Sequence, residues 1–442
     1  MIRSSARWRT WCAAAVAVIL LGALSSPVPA EAPEDTAATL IQQTFGFIRD
    51  EALVPADPLY VLRQAVMATQ QALLAAGVRE APDPPTLSGH EDDDLRATVE
   101  YVQAAVRSIA PRLPDALTAA ALRAMVRAAG DSLGAVFPPP EFARFLQELR
   151  GEHSGIGVQI DLINGAIVVV DLTDAGPAMR AGVRPGDVVL QVDGQPVDGR
   201  APDQVLDLLR GRAGAAVILR VRRDGEVRQF SITREPVREN PTRARMLDPR
   251  VGYLRLLEFS EHAGRDVERA MSRLTGLGAQ ALVLDLRENG GGLVDEAMVV
   301  ASVFLPRGVV AVEATRGTSV THLVRPATVR FAGPLVVLVN EATASASELV
   351  AGALQDAGVP LIGTQTYGKA TVQTIFFLPS GWGLRLTTAV YRTRSGREID
   401  GAGLTPDIAV ATRADQIQGP GDLQLEAARL LVRRRLEATG RP

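Results

Sequence analysis

Cysteine is almost missing from this chain of 442 residues: its one thiol, Cys12, stands ahead of the first apolar run. Beyond that run no disulfide can form, and a cysteine nucleophile or a cysteine-ligated metal is excluded. Lysine is equally scarce, since Lys369 is the single lysine among 47 basic residues, and histidine is limited to His90, His153, His262 and His322. No apolar run reaches the roughly 18 to 20 residues that a membrane-spanning helix needs. The formal net charge is −3 and no basic stripe offsets it, which argues against a nucleic-acid partner. What remains, 47% apolar and 22% charged residues, is a globular composition long enough for two to four domains.

The first thirty residues stand apart. Arg3, Arg7 and Arg9 precede an uncharged run from Trp11 to Leu24, and Val28-Pro29-Ala30 follows as a small-residue cleavage site. This is the pattern of a secretory signal peptide over 1–30, so the chain is expected to be exported to the periplasm or cell envelope. Retention of the segment as a membrane anchor is the alternative. Cys12 comes before the run, where a lipoprotein cysteine would come after it.

Residues 36–137 carry helix-period apolar positions over Ala38 to Leu53, Leu59 to Ala76, Asp94 to Ala110 and Ala116 to Ala129, with Pro82, Pro84 and Pro85 breaking the middle. A helical bundle for packing or self-association is expected. Gly130-Asp131-Ser132-Leu133-Gly134 has the G-x-S-x-G spacing of a hydrolase nucleophile elbow. That motif needs a strand before it and a helix after it. Here a helical stretch precedes and Pro138-Pro139-Pro140 follows, so Ser132 is not expected to react.

From Gly155 the texture changes to short β-branched strands: Val158 to Ile163, a turn at Asn164-Gly165, Ala166 to Leu172, Val188 to Val192, Val217 to Arg222 and Arg228 to Thr233, with a helix from Pro202 to Leu209. Gly155-Ile156-Gly157-Val158 resembles the carboxylate-binding loop of PDZ domains, and Ala181 to Val189 followed by Val192-Asp193-Gly194 resembles the PDZ variant of bacterial proteases. Consecutive N–H groups of Ile156, Gly157 and Val158 can form a nest for a terminal carboxylate while the following strand pairs with an extended peptide. The remainder alternates strands and helices: Val251 to Leu256, Gly264 to Leu274, Ala281 to Leu286, Leu293 to Phe304, Leu335 to Val339 and Ser345 to Gln355. Strands from Val372 to Phe377 and Leu384 to Tyr391 close it. The fold expected is a multidomain α/β protein.

In this last region Asp285-Leu286-Arg287-Glu288-Asn289-Gly290-Gly291-Gly292-Leu293, Thr343-Ala344-Ser345-Ala346-Ser347-Glu348 and Thr366-Tyr367-Gly368-Lys369 resemble, in that order, the carboxyl-terminal processing peptidases, or tail-specific proteases. The likeness implies a signal peptide (1–30), a helical region (31–138), a PDZ domain (139–236), a serine protease core (237–412) and a helical tail (413–442). It implies Ser345 as nucleophile, Lys369 as general base and Gln373 as the residue orienting the lysine. Backbone N–H groups of Gly291, Gly292 and Ala346 would form the oxyanion hole, with Asp356, Glu348 and Thr366 in supporting roles. No cofactor or metal is implied. Expected partners are polypeptides with exposed apolar C-termini, besides an adaptor protein or a homo-oligomer.

The residues carry part of this on their own. A serine hydroxyl needs a base, and a desolvated neutral amine serves where no histidine stands nearby. Arginine cannot lose its proton in a protein, whereas a buried lysine can, so a site needing a neutral amine keeps its lysine in an arginine-rich chain. Gln373, four residues past Lys369 in an expected strand, should leave the same face. Ser345 opens a helix, whose free N–H groups favour negative charge. The plain alternative is that Ser345-x-x-Glu348 is only a capping box. Two other functions stay open: a non-catalytic PDZ adaptor on a protease-like core, and a different serine hydrolase, although the S-x-x-K spacing is absent because Thr366 occupies its position. Ala370 stands where the family has a glycine after the lysine.

Overall fold

A computed structural model describes residues 17–21, 32–109, 114–163, 165–173, 175–200, 202–326, 330–413, 416–419 and 421–438. Most of the expected signal peptide, and Asn164 of the expected hairpin turn, lie outside the described residues. Of the leader, Ala17–Leu21 is described as a strand.

The larger α/β region is built on a sheet ordered Thr242–Asp248, Val251–Leu256, Ala281–Asp285, Leu335–Val339, Leu361–Gly363, Ile408–Ala409, parallel after its first pair. Ala281–Asp285 and Leu335–Val339 are buried at every position, which is why they read as continuous apolar runs rather than alternating ones. Helices Ala263–Gly276, Val294–Phe304 and Ala346–Asp356 cover one face. Leu425, Ala428, Val432 and Leu436 of helix Leu423–Ala438 cover the other, against Tyr253, Val283 and Leu338.

A second sheet packs beyond the helix layer, ordered Ala17–Leu21, Thr371–Phe377, Gly383–Thr393, Val309–Thr315, Ser319–Leu323, with Ala135–Phe137 added to Gly383–Thr393. The four N-terminal helices, Pro33–Glu51, Pro58–Ala75, Glu91–Ile109 and Pro114–Ala128, match the periodic stretches. They are not a separate bundle: Ile41, Phe45, Leu62, Leu122 and Met125 share one core with Phe376, Trp382, Leu384 and Leu386 of the second sheet.

The region expected to be a PDZ domain forms a sheet running Val158–Ile163, Ala166–Leu172, Val188–Val192, Ala216–Arg223, Glu226–Thr233, antiparallel throughout, around Ile160, Val169, Val189, Leu219 and Ile232. The chain enters and leaves it through an antiparallel ribbon, Glu152–Gly155 against Glu235–Arg238. The sequence reading did not anticipate helix Pro139–Leu149. Pro138-Pro139-Pro140 argues against a helix after the Gly130 to Gly134 turn, yet Pro139 occupies the first helical turn, where a missing N–H is harmless. Its Phe142 packs with Leu293 and Ile375 of the core.

Candidate active site

The loop Leu286 to Leu293 and the turn Asn340 to Ser345 leave adjacent parallel strands, Leu282 lying opposite Leu335, so both emerge at the carboxyl ends where open α/β sheets build their sites. Ser345 sits at the end of the turn, 5% exposed, with φ 57° and ψ −119°. That is a sparsely populated conformation for a residue with a Cβ, and it occurs where surrounding structure enforces it, as at a strained strand-to-helix nucleophile turn. Glu348 accepts the Ser345 N–H at 2.9 Å, the backbone half of the expected capping box. The other half of the box, the Ser345 hydroxyl facing the Glu348 N–H, is in place only loosely: it makes no cap hydrogen bond, and the buried hydroxyl has no partner among the described residues.

Glu348 does more than its expected supporting role. Its carboxylate also accepts the N–H of Gly368 (2.7 Å) and Lys369 (2.8 Å) and the Thr366 hydroxyl, tying the Ser345 turn to the lysine loop. Burial raises its pKa against those hydrogen bonds. Thr366 in turn accepts from Leu404 N–H at 2.7 Å, and Tyr367 N–H donates to the Thr343 carbonyl at 3.0 Å.

Lys369 is 8% exposed and has no ion-pair partner among the described residues. Burial first, then the Arg385 guanidinium, lowers its pKa to about 8, against the pull of Asp400, Asp131 and Glu348. A neutral amine is thus accessible near physiological pH. Ala370, in place of the family glycine, has no positive φ and donates its N–H to Asp400. Gln373 is fully buried. The four-residue spacing is not carried by one strand: the strand begins at Thr371, after Lys369, and the bulge beside it, with Val372 opposite Ala389 and Gln373 opposite Thr387, puts its extra residue Thr388 on the partner strand. From Thr371 to Gln373 the strand therefore alternates in the usual way, and only the step from Lys369 into it lies outside the strand pattern.

The glycine loop presses directly on Ser345. A Cβ on Gly291 (φ 104°) would lie 2.8 Å from Ser345 Cβ and 3.0 Å from Ala346 N, and one on Gly292 (φ 140°) would lie 2.5 Å from the Phe259 carbonyl oxygen. Asn289, to which the sequence reading gave no role, braces the loop. Its side chain donates to the Leu256 carbonyl, its Oδ1 accepts Gly291 N–H at 2.9 Å, and its own carbonyl accepts Ala344 N–H. The Gly291 amide is therefore engaged, whereas Ala346 N–H, at the first position of its helix, has no acceptor among the described residues. Beneath the loop Arg287 is fully buried between Asp285 (2.6 Å) and Asp422 (2.8 Å). Burial opposes the Asp285 charge, but the Arg287 pair outweighs it and holds the carboxyl below its ordinary value. Removing one partner would leave a buried charge unpaired.

Asp356 lies at the far end of the Ser345 helix and pairs with Arg397 at 2.6 Å, a contact that anchors the helix away from the reacting groups. In the PDZ domain, Gly157 has φ 73°, and its carbonyl and that of Ile156 accept N–H groups of Thr173 and Ala178. Gly157 and Val158 open onto a cavity of about 260 Å³ shared with Gln159, Arg238, Asn240 and Arg243.

The chain matches the profile of Peptidase family S41 over residues 250–410 and that of a PDZ domain over residues 168–223. It is 38% identical to the carboxy-terminal-processing protease of Bartonella bacilliformis over 272 residues, 59% of this chain and 62% of that relative, so it spans less than two thirds of the relative's length. With the carboxyl-terminal-processing protease of Synechocystis sp. it shares 35% identity over 327 residues, 70% of this chain and 76% of the relative. Among solved structures, the photosystem II D1 C-terminal processing protease is 27% identical, with 85% of this chain and 93% of that one covered at a TM-score of 0.48. Identity at this level, sustained across three quarters of a relative and through the segments that carry the turn, the glycine loop and the lysine, shows that this chain belongs to the carboxyl-terminal-processing proteases.

Proposed function

We propose that this chain is a serine endopeptidase that captures the C-terminal tail of a polypeptide in its PDZ domain and cuts nearby through an acyl-enzyme. The observation that carries the reading is Ser345: a buried hydroxyl without a partner, in strained backbone, tied through Glu348 to the loop of the one lysine. Neutral Lys369 takes the hydroxyl proton as Ser345 Oγ attacks the scissile carbonyl. The N–H of Ala346, with that of Gly292, receives the developing oxyanion, and the Ser345 helix adds its dipole. The C–N bond then breaks as the Lys369 ammonium returns the proton to the leaving amine. Water, deprotonated by the same amine, releases the acyl group. Gln373 orients the amine, and the loop Gly155, Ile156, Gly157 and Val158 receives the tail carboxylate.

Extended-chain binding has support in the second sheet. Its edge strand Thr371–Phe377 takes Ala17–Leu21 as a parallel neighbour, with Val18 opposite Gln373, so this edge accepts five extended residues beside the site. Among the described residues no helix is long and apolar enough to cross a membrane. The arginine-flanked leader supports export to the periplasm or cell envelope, where an adaptor or a second copy would bind the helical region.

The test is cleavage of an unstructured protein with an apolar C-terminal tail, free or amidated, with the cuts located by mass spectrometry. Cleavage by the parent that slows when the carboxylate is blocked supports the reading. Tail binding without any cleavage would leave a PDZ adaptor.

A further inference from the structure

We propose that Thr387, held by Asp131, is a positioning residue that fixes which way the Gln373 amide points and thereby aims Lys369 at Ser345. This rests on the reading of Gln373 as the residue that orients the lysine.

The argument begins in the turn after helix Pro114–Ala128, far from the core in sequence. Asp131 Oδ1 accepts the N–H groups of Leu133 (3.0 Å) and Gly134 (2.8 Å), which fold the turn around it. The same oxygen lies 2.9 Å from Thr387 Oγ1, and Oδ2 accepts the Thr387 N–H at 2.6 Å. Gly134 is needed here, since a Cβ would meet Val126 Cγ1 at 2.5 Å and Asp131 Oδ2 at 2.9 Å. A carboxylate only accepts, so the Thr387 O–H must point at Asp131. Thr387 Oγ1 is then left as an acceptor on its other side.

Gln373 Nε2 lies 3.3 Å from that oxygen. Because Thr387 has no proton left to give, the Gln373 side chain must present its NH2 there and turn its carbonyl oxygen away. Gln373 Oε1 is accordingly the buried atom left without a partner in a residue with no exposed surface. An orphan acceptor in such a place is unfavourable unless a donor reaches it. The neutral Lys369 amine supplies two N–H groups. In the aligned site one of them goes to Oε1, which no donor reaches in this structure, and the lone pair is left for the Ser345 proton. With the amide reversed, NH2 would face the amine and compete for that lone pair. The same turn also carries the carbonyl of Leu133, which accepts Arg385 Nε at 3.0 Å, so it holds the cation beside Lys369 as well.

The experiment compares kcat and KM of the full chain on one tailed protein substrate for Thr387→Val, Thr387→Ser and Gln373→Ala, with thermal midpoints for each. Thr387→Val leaves the amide free to reverse and is expected to lower kcat about 10- to 100-fold at unchanged KM, within the range that small misplacement of a reacting group produces. Thr387→Ser keeps the hydroxyl and should stay within about threefold of the parent, a rescue that loss of packing alone would not give. Should Thr387→Val not fold, Thr387→Cys takes its place, similar in size with a weak acceptor. A folded Thr387→Val with parental kcat, alongside an impaired Gln373→Ala, overturns the role of Thr387 alone. Failure of Thr387→Ser to restore kcat overturns it too. Parental kcat in Gln373→Ala removes the role of Gln373 and this proposal with it.

Discussion

Two turns in this molecule present a serine beside a helix, and they differ in every respect that matters to reactivity. Gly130 to Gly134 has the G-x-S-x-G spacing, but it follows helix Pro114–Ala128, precedes strand Ala135–Phe137 and leaves Ser132 exposed with an ordinary negative φ. Thr343 to Ser347 lacks the flanking glycines. It leads from strand Leu335–Val339 into helix Ala346–Asp356 and holds Ser345 buried at φ 57°. The flanking glycines of the usual motif give the strained serine room. Here Ala344 and Ala346 are small, and the remaining space comes from Gly291 on a separate loop, where any Cβ would meet Ser345. A strained serine turn is thus a property of backbone and neighbours, which a spacing pattern does not report.

The comparison breaks or holds most sharply on the serines themselves. Ser345→Ala is expected to reduce turnover about ten-thousandfold, and Lys369→Arg similarly, because arginine supplies no neutral amine. Ser132→Ala should retain parental rates within about twofold, as surface changes usually do. A casein-type gel or a fluorogenic tailed peptide separates these outcomes, and loss of activity in Ser132→Ala with Ser345→Ala intact would reverse the assignment.

Gly291→Ala sharpens the point about shared space. The added methyl meets Ser345 Cβ at 2.8 Å and the Ala344 carbonyl oxygen at 2.9 Å, at a φ of 104° that side chains avoid. The loop must retreat from the turn, and kcat should fall about a hundredfold or more as the oxyanion loses its donors. Equal kcat in a folded Gly291→Ala protein would mean that the loop does not approach the reacting carbonyl.

Sequence reading reached the elements whose cause is local. The four N-terminal helices and the buried strands Ala281–Asp285 and Leu335–Val339 follow from period and composition. Lys369 stood out because an arginine-rich chain kept one residue able to deprotonate. Helix Pro139–Leu149 was missed because proline at a helix start looks like proline in a break. What period could not reveal is contact across long separations. Asp131 and Thr387 are 256 residues apart, and nothing local in the turn Gly130 to Gly134 announces that its acid grips a strand beside Gln373. Asn289 was visible inside a recognisable motif, but its three braces depend on Leu256, Gly291 and Ala344 lying around it. The likeness of segments indicates which residues share a site; burial and hydrogen bonding decide what each does there.

The smallest effect expected is on stability, and it distinguishes a lysine kept for chemistry from one kept for structure. Lys369 has a pKa of about 8 in the fold, against about 10.4 in an unfolded chain. Below pH 8 both states carry the proton, and the fold bears the full penalty of a buried ammonium, roughly 3 kcal/mol. Between pH 8 and about 10.4 the unfolded chain binds the proton and the fold does not, so stability rises with pH; above that range the penalty is gone. Activity follows the same group: kcat/KM should climb as pH rises through about 8, because the base works only when neutral. Lys369→Met, compared with its parent in a Ser345→Ala background to prevent self-cleavage, should therefore be more stable by up to about 3 kcal/mol at pH 7 in urea unfolding, with the difference shrinking toward pH 10.4. Equal stability at pH 7 would mean that the amine is solvated in the fold, and the serine turn would then lack a base.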